Sequence, residues 1–87
     1  MDEYFNSGLS TATNISKKLV SRNDNRRQLT LRNEGTQIVR VGYQDLNANK
    51  GMLMLPSEAV IFNFFKGEVW VMTTTIGAES LISFIEE

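Results

Sequence analysis

Three groups of residues have the types and spacing to do chemistry. Asp45, Asn47 and Asn49, in the run DLNANKG, set oxygen donors at alternate positions, as the opening of a calcium loop does. Gly51 comes one residue late for such a loop, Pro56 stands where its bidentate glutamate belongs, and no helical pattern flanks it. The run reads as a polar connection, and no metal is assigned to it. Arg22, Arg26, Arg27, Arg32 and Arg40 could together meet phosphates. Asp24 and Glu34 sit among them, and no aromatic residue alternates with them to make a base-stacking platform. A solvated face or one side of a charged protein contact is expected there, and nucleic acid is not. Glu86 and Glu87 are adjacent carboxylates at the terminus, where no cleft is expected to drive their pKa values apart.

What the chain lacks restricts its chemistry further. It has no histidine and no cysteine. The commonest general base, the commonest transition-metal ligand and every thiolate are therefore missing. Neither a disulfide framework nor a cysteine metal site can be drawn, and no glycine-rich phosphate loop is present. The expectation is a protein that is not an enzyme, with no catalytic residues and no cofactor. Nine basic and ten acidic residues leave a formal net charge of −1, so the whole molecule has no long-range pull toward nucleic acid or anionic lipid. Nothing approaches the roughly 20 apolar residues of a membrane span, and the start MDEYFNSGLSTATN lacks the basic and apolar regions of a secretory signal. A soluble product made in a cytoplasm is expected, with no membrane partner.

The elements that must position these groups are strands. From Asn25 to Tyr43, Leu29 and Leu31 alternate with Gln28, Thr30 and Arg32, and Val39 and Val41 repeat the pattern around Arg40. Between them Asn33, Glu34, Gly35 and Thr36 have the residue types of a tight reversal, which predicts a β-hairpin with Arg32 and Arg40 across from each other. Further strands are expected at 15–20, 52–55, 59–65, 68–74 and 80–86, separated by the turn clusters at 21–25, 66–67 and 76–79 and by the polar loop 44–51. Pro56 stops one of them, since it cannot donate to a ladder. Residues 1–13, rich in Ser, Thr, Asn and Gly, read as an extended N-terminal arm, and residues 14–87 as a single domain. About seven short strands with closely spaced turns predict an all-β fold: an antiparallel β-sandwich or jelly-roll-like small barrel.

Several strands carry apolar residues on both faces. Val60, Phe62 and Phe64 oppose Ile61 and Phe65; Met52 and Met54 oppose Leu53 and Leu55; Trp70 and Met72 oppose Val69 and Val71. An 87-residue chain, 41% hydrophobic, has one small core, and soluble monomers rarely leave large apolar patches bare. The surplus predicts contact with other subunits. Tyr4, Phe5, Phe65, Trp70 and Met72 are the expected contact residues, the first two anchoring the arm on a neighbour. The competing expectation is that bends and bulges fold all of these side chains into one core.

The order of pieces resembles a family of small bacteriophage virion proteins of the head decoration, or capsid cement, type. The resemblance rests on the turn Asn23 to Arg27, the segment Leu29-Thr30-Leu31-Arg32-Asn33-Glu34-Gly35-Thr36, the strand Val39 to Gly42, the step Leu55-Pro56, and Val69-Trp70-Val71; it covers about residues 20–87. The density of Phe62, Phe64 and Phe65 departs from the family's pattern. The resemblance implies a β-sandwich or jelly-roll-like module on the capsid surface, often trimeric, that binds the major capsid protein or other shell subunits and stabilises their junctions. From a different class come a tail or fibre-tip module that binds a host receptor or glycan through loop 44–51 and Trp70, and a small oligonucleotide-binding barrel using the arginines.

Overall fold

The computed structural model describes residues 6–47 and 49–87. Among them are eight strands: β1 (Asn6–Ala12), β2 (Lys17–Val20), β3 (Gln28–Asn33), β4 (Val39–Gly42), β5 (Met52–Met54), β6 (Ala59–Asn63), β7 (Val69–Thr73) and β8 (Ser80–Glu86). They form two antiparallel four-stranded sheets, ordered β1-β8-β3-β6 and β2-β7-β4-β5. The pairings β1·β8, β2·β7, β3·β6 and β4·β5 are those of one long ribbon doubled back on itself. Rolling that ribbon up brings β3 against β8 and β4 against β7. This is the eight-stranded jelly roll, an all-β sandwich of two packed layers.

Alternation along each strand fills the space between the layers. Ala12, Leu29, Leu31 and Ile82 of one sheet pack with Val20, Val39, Val41, Met54, Val69 and Val71 of the other. These are small and β-branched or flexible residues, which suit a pleated surface about 10 Å from its partner sheet. Leu19, Val60, Phe62 and Phe84 close the rim of that core.

The rolled topology overturns the expected hairpin. β3 and β4 lie in different sheets and do not pair, because the chain between them crosses from one layer to the other. Arg32 and Arg40 therefore occupy opposite outer surfaces. Gly35 is not among the residues with positive φ; it serves close approach instead. A Cβ there would lie 2.0 Å from Ser80 Oγ and 2.8 Å from the Leu81 amide nitrogen, so only glycine lets the crossing lie on β8. The turns 66–67 and 76–79 likewise lead across the sandwich rather than back along a hairpin. The expected arm also changes character over Asn6–Ala12, which is an edge strand paired along its whole length with β8. That strand raises the count from about seven to eight.

Crossings leave backbone groups without ladder partners, and two buried polar side chains supply them. At one end Asn33 Nδ2 donates to Gln37 O (2.6 Å) and Met54 O (3.0 Å), while its Oδ1 accepts from the Gly35 amide (3.1 Å) and Ser80 Oγ (2.7 Å). At the other end Arg26, fully buried, donates from Nε to Phe65 O (3.1 Å), from Nη1 to Ser21 O (3.3 Å) and Glu86 Oε2 (2.8 Å), and from Nη2 to Gly67 O. One guanidinium thus joins the β2–β3 and β6–β7 connections to the last strand.

Candidate interaction surface

The groups singled out for chemistry do not converge. Asp45 Oδ2 accepts from Lys50 Nζ at 2.7 Å, and Asn47 Oδ1 accepts from the Asn49 amide at 2.8 Å, so two of the alternating oxygens of DLNANKG are engaged within the loop. The Lys50 ammonium, through its hydrogen bond and then its charge, holds the Asp45 carboxyl below the usual carboxylate range. Among the described residues no three His, Cys, Asp or Glu side chains gather where they could hold a metal ion. Nor is there a helix long and apolar enough to cross a membrane.

The five arginines are dispersed. Arg22 pairs with Asp24 at 3.0 Å in solvent, Arg26 is buried, Arg27 is exposed, Arg32 lies on the outside of the first sheet and Arg40 on the outside of the second. Arg26 corrects the expectation of a solvated basic face: three carbonyls and a carboxylate replace its water, which the unpaired backbone of two crossings makes possible. Glu86, expected at a terminus with no cleft around it, is enclosed. It is 5% exposed, and its oxygens accept from Arg26 and, at 2.8 Å, from Asn6 Nδ2.

Of the expected contact residues, Tyr4 and Phe5 lie outside the described residues. Phe65 is 38% exposed at the rim of a slot of about 320 Å³ that opens between the edge strands β5 and β6, with Val41, Tyr43, Met52 and Phe62 on its walls. Its ring stacks at a tilt on Phe62, 5.9 Å between centroids, and covers the Arg26 guanidinium at 5.9 Å. Trp70 and Met72 lie elsewhere, on the outer face of the second sheet. There Trp70 is half-buried with Nε1 donating to Glu68 Oε1 (2.8 Å), and Met72 retains only 7% of its surface. Met72 sits in register beside Arg40, whose long side chain can shelter it. Of the three that are described, the structure therefore places Phe65 apart from Trp70 and Met72, and Met72 has little surface left to offer a partner.

Exposed apolar side chains occur at several of the expected positions, Met52, Leu53, Leu55, Ile61, Phe64 and Phe65, and a further group gathers on the outside of the first sheet. Core positions on β3 and β8 are Leu29, Leu31, Ser80, Ile82 and Glu86, so Thr30, Arg32, Leu81, Ser83 and Ile85 face outward. Register extends that outer face sideways: Ile85 and Ile61 flank Thr30, while Leu9 lies beside Ser83. Leu9, Ile61, Leu81 and Ile85 are all exposed, by 38% to 60%. Arg32 is the one charged side chain that the four strands present on this face. A broad surface with large aliphatics, hydroxyls and little charge has the composition of an interface centre. The signal for it was in the run LISFIE, where apolar residues occupy both alternation classes, but its position required the pairing of four strands distant in sequence.

Fold and surface together define a small jelly-roll protein whose most developed feature is a low-charge outer sheet face. No family model, curated protein or solved structure matches the chain.

Proposed function

We propose that this chain is a structural virion protein of the capsid decoration type, which binds the outer surface of a phage head and holds subunit junctions together. The observation that supports this most is the outer face of the β1-β8-β3-β6 sheet, where Leu9, Ile61, Leu81 and Ile85 stand exposed with a single charge among them. Jelly rolls serve many functions, so the fold is compatible with the role without selecting it. The partners on this reading are the major capsid protein or other shell subunits, with further copies of this chain beside it, and the location is the capsid surface.

The physical work of such a protein is binding alone. It associates with the assembled lattice more tightly than with free subunits, and that difference stabilises the assembled state by mass action. Repetition over a symmetric shell makes modest contacts collectively large.

The test is to purify virions of the phage that encodes the chain and to ask whether it is present on heads separated from tails. Shells stripped of it should disassemble at lower temperature, and adding the purified protein back should restore the midpoint. Its absence from heads would overturn the proposal. Presence on tails alone would instead favour the tail or fibre-tip reading.

A further inference from the structure

The four sheet edges of the sandwich are not equally protected against pairing with another chain. β2 carries Lys17 and Lys18 and a register shift before Val20, both of which oppose edge pairing. β5 has three residues and is followed at once by Leu55 and Pro56. β1 is uncharged but contains Gly8, two serines and a threonine, with Leu9 its one large apolar side chain. β6 is Ala-Val-Ile-Phe-Asn, with no charge, glycine, proline or bulge, and among the described residues it pairs on one side only, with β3. Its composition favours strands and lacks every device that blunts an edge.

The direction of its free backbone groups follows from the ladder. The Asn33 amide donates to Glu58 O (3.0 Å) and the Phe64 amide donates to Arg27 O (2.7 Å), which bracket the β3·β6 register. Hydrogen-bonded and non-hydrogen-bonded pairs alternate in an antiparallel ladder. Val60 and Phe62 therefore spend their N–H and C=O groups on β3, while those of Ala59, Ile61 and Asn63 point away from it.

We propose that β6 pairs with β6 of a second copy of this chain, antiparallel about a two-fold axis at Ile61. In the register of full overlap Ile61 meets its own copy and Ala59 meets Asn63, so every outward group on both strands finds a partner. The contact is isologous, and because β6 is uncharged no like charges meet. The same self-pairing at β2 would set ammonium groups close together. Ile61, 58% exposed in one protomer, gains an isoleucine neighbour, and Val60 lies beside the partner's Phe62 at the open side of the sandwich. The two β1-β8-β3-β6 sheets become one eight-stranded sheet with a continuous low-charge face. This contact does not depend on whether the protein acts on a virion.

The chain has no cysteine, so an introduced thiol is unique. Residues directly opposed in a hydrogen-bonded pair have Cα atoms about 5.5 Å apart, within the span of a disulfide. Wild-type protein should sediment as a dimer, and Ile61→Cys should cross-link to itself under mild oxidation without change in its circular dichroism. Ala59→Cys and Asn63→Cys should each cross-link poorly alone and give a mixed disulfide when combined. Ile61→Lys places two ammonium groups at the axis and should weaken association by at least roughly tenfold. A wild-type protein that stays monomeric at its highest soluble concentration would overturn the proposal. So would a dimer that Ile61→Lys leaves intact, or cross-linking through Ala59→Cys or Asn63→Cys alone but not Ile61→Cys.

Discussion

Arg26 Nη1 lies 2.8 Å from Glu86 Oε2, and both side chains are buried although 60 residues separate them. The pair joins the segment entering β3 to the end of β8, two strands that lie side by side in one sheet. A buried ion pair is costly to form, because two charges leave water, and its net value over an apolar substitute is often small. Its value here lies in the carbonyls of Ser21, Phe65 and Gly67, which the same guanidinium satisfies.

Removing one partner should therefore be expensive. Arg26→Met takes the guanidinium away from the buried Glu86 carboxylate and from three carbonyls, and is expected to destabilise the fold by about 3–5 kcal/mol. Glu86→Gln retains an acceptor and should cost less. Urea unfolding of both single variants and the double variant would measure the coupling, and a loss below about 1 kcal/mol for Arg26→Met would show that the cluster does not form in solution.

At the opposite end, Gly35 and Asn33 define a second sensitive point. Gly35→Ala puts a methyl group into Ser80 and the β8 backbone, and overpacking of this kind costs roughly 1–3 kcal/mol. Asn33→Ala strands the Gln37 and Met54 carbonyls, each worth about 1–3 kcal/mol when buried and unpaired. Thermal midpoints should fall in both variants. An unchanged midpoint in Gly35→Ala would contradict the close crossing over β8.

The Asp45–Lys50 contact gives a titration with a definite sign. Asp45 is held below its ordinary pKa by Lys50, so its ionised form is favoured in the folded protein. A carboxyl lowered in this way adds stability above its unfolded pKa and loses it as pH falls through the folded one. Both groups are open to solvent, so salt screens the effect and folding stability should barely respond. In Lys50→Met the Asp45 carboxyl, followed by NMR, should titrate at higher pH than in the wild type. Identical curves would mean that the contact is not populated.

The outer sheet face can be tested apart from the β6 edge. Ile85→Asp adds a charge at a position 38% exposed on β8, separated from the β6 edge by β3, so stability should change by less than about 1 kcal/mol. Retention on purified shells should drop by at least roughly tenfold, since a buried, unpaired carboxylate is heavily penalised in an interface. Undiminished retention would move the shell contact to another surface.

What the residues determined by themselves was the element type and most element positions. Period-two alternation placed strands at 26–33 and 37–43, and the turn at 76–79 placed one at 80–86, where Gln28–Asn33, Val39–Gly42 and Ser80–Glu86 are observed. The apolar excess was legible too, because Met52 to Leu55, Ala59 to Phe65 and Val69 to Met72 carry large side chains in both alternation classes. The tertiary structure alone decided which strands pair. A glycine-bearing turn between two alternating runs looks the same locally whether the chain returns beside itself or crosses to the facing layer, and the choice depends on contacts such as Gly35 on Ser80, 45 residues apart in the chain. For the same reason Arg26 reads in sequence as part of a basic face and Glu86 as a terminal carboxylate with no cleft around it. Their burial, and the gathering of Leu9, Ile61, Leu81 and Ile85 on one face, follow from long-range register, which local periodicity does not encode.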